Sequence, residues 1–141
     1  QKLRQAAGSY LDVFRDRALE RTRNGPRLVY ICAPLRGDVE RNIAFAKEKA
    51  REVFQAGDVP VCPHLMFPPI ADPEAPVQDQ AAREMGLRLV ETCQQVNVYG
   101  AARTPGMQAE LRRAEELGIP VKTEQPAIKK TKSRSRQGQA R

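Results

Sequence analysis

The chain has 141 residues, a hydrophobic fraction of 40% and a formal net charge of +7. A length of this order predicts one domain with a core large enough to fold unaided. No stretch approaches the roughly 18 apolar residues of a membrane span, and the polar start from Gln1 lacks the pattern of a signal peptide, so we expect a cytoplasmic protein without membrane contacts.

The first part of the chain predicts a helix, a strand and a second helix. Apolar residues recur at spacings of three and four over residues 2–22, which is typical of an amphipathic helix, and NGP at 24–26 ends it. The run RLVYIC at 27–32 has no polar alternation and indicates a strand buried on both faces. Residues 38–56 predict an amphipathic helix that ends before Gly57.

The same alternation continues to residue 122. A helix at 77–95 is expected to bury a stripe made of Ala82, Met85, Leu89 and Cys93. Thr104 is the predicted cap of the last helix, with Pro105 at its first position. In chain order, these later elements are a strand at 59–63, a Pro-rich loop at 64–76, the helix at 77–95, a strand at 95–100, a helix from Pro105 to Gly118 and a strand at 119–122.

Strands that alternate with helices predict a parallel sheet with right-handed crossovers. We therefore expect an α/β fold with a three-layer, Rossmann- or flavodoxin-like architecture. About four parallel strands would carry helices on both faces, with one extra amino-terminal helix. The predicted division of the chain is an amphipathic helix at 1–24, an α/β domain at 25–124 and a disordered basic tail at 125–141.

Most of the positive charge lies at the carboxyl end. Residues 126–141 contain six basic and no acidic residues, which leaves a net charge of +1 for the rest of the chain. A segment rich in Ser, Gln, Lys and Arg is expected to be disordered. Such a tail either contacts nucleic-acid phosphates nonspecifically or stays solvated without a fixed partner.

The cysteine pattern argues against metal binding and disulfides. Cys32, Cys62 and Cys93 are odd in number and far apart, and His64 is the only histidine. The chain therefore has neither a C-x-x-C pair nor a second histidine, which zinc sites commonly use. We therefore expect free thiols in a reducing compartment and no metal. We also expect no cofactor.

The loops that follow the predicted strands share one rim of the sheet, where such folds bind ligands. The first of them, APLRGD, combines Pro34, which fixes the backbone, with Gly37, which tolerates a positive φ. Arg36 offers a fork of donors for an anion, and Asn42 would anchor the loop from the next helix. The alternative is a plain turn with a solvent-facing arginine.

Glu110 is the acidic residue whose position is most unusual. At 100° per residue it falls within the apolar arc of its helix, near Met107 and Ala114. A carboxylate on a packing face is costly unless it is paired or used chemically. The alternative is an edge residue that pairs with an arginine.

The second loop carries His64 and Phe67. His64 would contact a ligand or cap the sheet. Phe67, beside Met66, would form an apolar shelf for a flat ring or fill an edge of the core.

The motifs VYICAPLRG, GDVPVCPH, CQQVNVYG and TPGMQAELRRAEELGIPV together resemble the nucleoside 2-deoxyribosyltransferase-like superfamily over about residues 27–122. The resemblance implies that Tyr30, Cys32, Ala33 and Pro34 face a nucleoside and that Arg36–Gly37 hold its 5′ end. It also implies that Glu110 attacks C1′ and forms a covalent sugar ester. If the chain is an enzyme, we expect Tyr30 to position Glu110 as the second catalytic residue. A homo-oligomer is expected for the same reason.

Two aspartates of the family are missing, because Gly86 and Gln94 stand at their places. A general acid for the leaving base contributes about 10²–10⁴-fold in rate. Three hypotheses follow. The chain is an N-glycosidic hydrolase or transferase acting on a nucleoside, nucleotide or related ribosyl compound, or a catalytically idle nucleotide-binding module. The third hypothesis is a nucleic-acid-associated protein that binds through its tail.

Overall fold

The computed structural model describes residues 25–124. The predicted helix at 2–22 and the basic tail at 126–141 lie outside the described residues, so the three-part division of the chain and the nucleic-acid contact stay predictions. The described elements are β1 (Leu28–Cys32), α1 (Val39–Gln55), β2 (Val59–Val61), α2 (Pro63–Met66), α3 (Pro76–Val90), β3 (Gln95–Tyr99), α4 (Pro105–Glu116) and β4 (Val121–Glu124).

The four strands form one parallel sheet in the order β2-β1-β3-β4. The chain moves outward from β1 to β2, crosses back to β3 on the other side of β1, and continues outward to β4. Right-handed crossovers in opposite directions place helices on opposite faces of a sheet. The strand order therefore reverses between β1 and β3, and the loops after these two strands diverge and leave a crevice.

Alternate residues of β1 serve two separate cores. Val29 and Ile31 pack under α1 with Ala46 and Ala50. Tyr30 and Cys32 point to the other face, where they pack with residues of α3 and α4 that include Val90, Met107 and Ala114. This arrangement confirms the predicted three-layer α/β architecture with a four-stranded parallel sheet.

Several local predictions need correction. The predicted loop at 64–76 begins within a short helix, α2, and the fourth strand lies two residues later than predicted. Helix α3 ends at Val90, and Met85 is 55% exposed, whereas Asp79 and Gly86 are buried. The apolar pattern missed this face because an aspartate and a glycine occupy it. Thr104 caps α4 as predicted, since its hydroxyl accepts the Met107 N–H at 3.2 Å.

The three cysteines are free and buried. Within residues 25–124, no group of three or more His, Cys, Asp and Glu side chains is placed to hold a metal ion. None of the helices in this range is both long and apolar enough to cross a bilayer.

Candidate active site

A cavity of about 470 Å³ opens at the carboxyl ends of β1 and β3. Its walls come from the β1–α1 loop, from α2 and the loop after it, from the inner face of α3, and from the start of α4. The predicted site residues that line it are Ala33, Arg36, His64, Phe67 and Glu110. The arginine-bearing loop and Glu110 therefore share one cavity, although 74 positions of sequence separate Arg36 from Glu110.

The carboxylate of Glu110 is oriented by the side chain of Tyr30. The fully buried tyrosine rises from β1, and its hydroxyl donates to Oε2 of Glu110 at 2.6 Å. Glu110 lies one turn after the buried Met107, so the packing of α4 on the sheet holds its carboxylate over β1. The geometry gives a carboxylate that faces the cavity with one oxygen already oriented.

Burial governs the protonation of this pair. Desolvation raises the pKa of the Glu110 carboxyl, and hydrogen bonds from Tyr30 and Cys32 partly oppose that rise. Desolvation, reinforced by the Glu110 charge, also raises the pKa of the Tyr30 phenol well above its usual value and raises that of the Cys32 thiol. Tyr30 and Cys32 therefore remain neutral donors while Glu110 changes its charge.

Gly86 makes room for this pair. A Cβ atom at position 86 would lie 3.1 Å from the Tyr30 hydroxyl and 3.8 Å from Oε2 of Glu110. A glycine inside a helix costs about 1 kcal/mol relative to alanine, and here the space it leaves is filled by the tyrosine. The helix consequently offers no acid beside Glu110.

Gln94 lies at the opposite end of the sheet. Its Oε1 accepts the N–H of Leu28, the first residue of β1, at 2.8 Å. The cavity opens where β1 ends, so the side chain of Gln94 has no part in it.

Two side chains hold the backbone of the β1–α1 loop. Nε2 of His64 bonds the carbonyl oxygens of Ala33 and Pro34 at 2.8 and 3.2 Å. Nδ2 of Asn42 donates to those of Leu35 and Arg36, both at 3.0 Å. Four successive carbonyls are therefore fixed, and the chain then turns at Gly37, whose φ of +100° suits glycine.

These two hydrogen bonds determine which nitrogen of the His64 ring carries the proton. Both partners of Nε2 are acceptors, so Nε2 carries the proton of the neutral ring. Burial lowers the pKa of His64, against the opposing effect of the two carbonyls. His64 thus lines the cavity as a neutral ring whose N–H is already used.

Arg36 is held by a residue that the sequence patterns did not single out. Its Nη2 pairs with Oδ2 of the buried Asp79, and Nε of Arg83 lies 3.4 Å from the same oxygen. All three residues line the cavity. An aspartate in the first turn of a helix is ordinary because it complements the helix dipole, so its sequence position gave no signal of a site.

The other predicted residues support the walls. Tyr30 lies behind Glu110, Asn42 lies behind the loop, and Pro34 and Gly37 shape the loop without being among the residues that line the cavity. Thr104, Gly106 and Met107 line it from the start of α4. The predicted rim includes the loop that ends at Thr104, but no sequence signal identified Gly106 and Met107 as wall residues.

The sequence matches the family described as "Domain of unknown function (DUF7768)" over residues 27–124. The chain belongs to the DUF7768 family. No curated protein matches it.

The DUF7768 fold is also similar to a solved structure. This is a 2-deoxyribosyltransferase from the psychrotolerant bacterium Bacillus psychrosaccharolyticus, described as a biocatalyst for nucleoside synthesis. The TM-score is 0.53 at 16% sequence identity, and the match covers 70% of this chain and 72% of that chain. At this identity the likeness shows a common fold.

Proposed function

We propose that this DUF7768 domain cleaves or transfers the N-glycosidic bond of a nucleoside, a nucleotide or a related ribosyl compound, with Glu110 as the nucleophile. The observation that carries the proposal is the Glu110 carboxylate, which faces the cavity and is oriented by Tyr30 at 2.6 Å. The similarity of the fold to a 2-deoxyribosyltransferase supports this reaction class.

The proposed reaction uses Oε1 of Glu110, the oxygen to which Tyr30 does not donate. That oxygen attacks C1′, the C1′–N bond breaks, and a sugar ester forms on the enzyme. Water or a second base then displaces the carboxylate from C1′. Tyr30 donates to the other oxygen throughout and keeps the attacking oxygen aimed at the sugar.

The remaining walls would position the substrate. Phe67, together with the prolines of the same loop, offers flat apolar surface for a base. Arg36 and Arg83 present donors at the mouth for the 5′ end of the sugar or its phosphate. We call the end of the cavity at Asp79 its mouth and the end at Gly86 its floor. Asp79 and Gly86 are seven residues apart on one face of α3, so the mouth and the floor are separated by about 10 Å, comparable to the length of a nucleoside.

The test is release of free base from a panel of ribo- and 2′-deoxyribonucleosides, with and without a 5′-phosphate and with neutral and cationic bases. We expect the wild type to release base and Glu110→Gln to lose at least about 10³-fold in rate. Glu115→Gln, at an exposed position on the same helix, is the matched control and should retain activity. Release of base that survives Glu110→Gln would contradict the proposal.

Gly86 supports a second candidate function, a catalytically idle nucleotide-binding module. The glycine leaves no acid on α3 beside Glu110. Under this alternative the wild type and Glu110→Gln would bind the same ligand in calorimetric titrations, and neither would release base.

The homo-oligomer stays a proposal as well. Ile70 and Val77 are 79% and 82% exposed, and each is next to residues that line the cavity mouth. Exposed apolar side chains at such a place suit a subunit contact. Light scattering of the wild type and of the double variant Ile70→Ser/Val77→Ser would show whether they form one.

A further inference from the structure

We infer that the preferred substrates carry a cationic leaving base, such as a pyridinium or an N7-alkylated purine joined to ribose. This inference rests on the proposed function. It follows from two properties of the described residues that line the cavity. The first is whether any of them can donate a proton to the leaving base, and the second is their net charge.

Apart from Glu110 itself, no buried side chain that lines the described part of the cavity is free to protonate a leaving base. His64 uses its N–H on the carbonyls of Ala33 and Pro34. Asp79 accepts a hydrogen bond from Arg36 and forms an ion pair with Arg83, so it acts as an acceptor. Asp72 is exposed, and its Oδ1 accepts the Glu74 N–H at 2.9 Å.

The hydroxyl of Tyr30 is on the wrong side of the sugar for this task. It donates to Oε2 of Glu110, which places it with the nucleophile, whereas the base departs from the opposite side of C1′. The place on α3 that faces this pair is Gly86, which has no side chain.

The charge of the cavity favours a cation. Three carboxylates, Asp72, Asp79 and Glu110, line it against two guanidiniums, Arg36 and Arg83. With Glu110 ionised, the described lining has a net charge of −1. Phe67 adds an aromatic face, on which a flat cation stacks favourably.

A cationic base removes the need for an acid. When Glu110 attacks C1′, the electron pair of the C1′–N bond moves to the ring nitrogen. In a pyridinium or an N7-alkylated purine that pair neutralises the ring, so the base leaves uncharged and takes no proton. A neutral base would leave as an anion and would need one. Water then displaces the ester at C1′, its proton passes to solvent, and Glu110 returns as a carboxylate.

The experiment compares guanosine with 7-methylguanosine at mildly acidic pH, where the methylated ring is cationic. The two have the same sugar and differ by the methyl group that creates the charge. We expect kcat/KM for 7-methylguanosine to exceed that for guanosine by at least about 10²-fold, the contribution of one general acid. Glu110→Gln should lose the activity, and Glu115→Gln should keep it.

A second readout uses nicotinamide riboside, whose charge is permanent. Its kcat/KM should rise with pH as Glu110 ionises and then stay level, because no acid must remain protonated. Equal rates for the two guanosines, or a bell-shaped profile, would overturn this inference and leave the proposed function standing. If neither neutral nor cationic nucleosides are cleaved, or if cleavage survives Glu110→Gln, both proposals fail.

Discussion

The floor of the cavity (Tyr30, Gly86 and Glu110) and its mouth (Arg36, Asp79 and Arg83) each contain a carboxylate on a buried helix face, but the partners differ. At the mouth, Asp79 meets two guanidinium charges. At the floor, Glu110 meets a neutral phenol and a neutral thiol, and its pKa is raised. Cationic partners compensate the charge of a carboxylate, whereas neutral donors orient the carboxylate without compensating its charge.

This contrast predicts that variants of the floor change kcat and that variants of the mouth change KM. After Glu110→Gln, the largest effect is expected for Tyr30→Phe, which removes a hydrogen bond to a charged oxygen, worth about 1.5–3 kcal/mol. We expect kcat to fall about 10- to 100-fold. The hydrogen bond from Tyr30 lowers the pKa of Glu110. Its loss should therefore raise that pKa and move the acidic limb of the pH profile to higher pH.

Tyr99→Phe is the matched control for Tyr30→Phe. Tyr99 is also buried, but it belongs to the core on the α1 face of the sheet and accepts from Asn97 at 3.1 Å. Its replacement should leave kcat and the pH profile unchanged. Equal losses in the two variants would mean that the Tyr30 effect is merely structural.

Gly86→Ala comes next, with an expected loss of about tenfold in kcat. The new methyl group would lie 3.1 Å from the Tyr30 hydroxyl, so the hydroxyl must give way by a few tenths of an ångström, and we expect its bond to Glu110 to lengthen. Gly86→Ala should lower kcat by a smaller factor in the Tyr30→Phe variant than in the wild type, because the clashing hydroxyl is absent. Strictly additive losses in this double-mutant cycle would show that the two positions are uncoupled.

At the mouth, Asp79→Asn should raise KM several-fold and leave kcat nearly unchanged. The variant removes the charge that holds Arg36 and Arg83 in place. Glu84→Gln, exposed on the same helix, controls for the loss of an acidic residue. A fall in kcat with an unchanged KM would contradict this prediction and would indicate that Asp79 acts in the chemical step.

The smallest effect concerns stability. Burial raises the pKa of Glu110 in the folded state, so its contribution to stability is present below its unfolded pKa and is lost as pH rises through the folded pKa. Glu110→Gln escapes that loss and should be more stable than the wild type by about 1 kcal/mol at neutral pH, with a smaller gain in acid. Denaturant unfolding at both pH values measures this, and a gain that grows toward acid would contradict it.

The sequence predicted the fold better than the site, for physical reasons. Uninterrupted apolar runs such as LVYIC identify buried parallel strands, and the position of Glu110 within the apolar arc of α4 directed attention to it. Asp79 and Gly86 carried no such signal. Their importance depends on what α3 packs against, namely the Arg36 side chain and the Tyr30 hydroxyl, and sequence periodicity does not report contacts between distant segments.

The most direct test of Glu110 as nucleophile is mass spectrometry of the protein quenched during turnover of a substrate from the panel. Trypsin cuts after Arg103 and Arg112, and Glu110 is the only acidic residue in the peptide 104–112. If Glu110 is the nucleophile, this peptide gains the mass of the sugar in the wild type and not in Glu110→Gln. An active enzyme that carries the sugar on another peptide would contradict it.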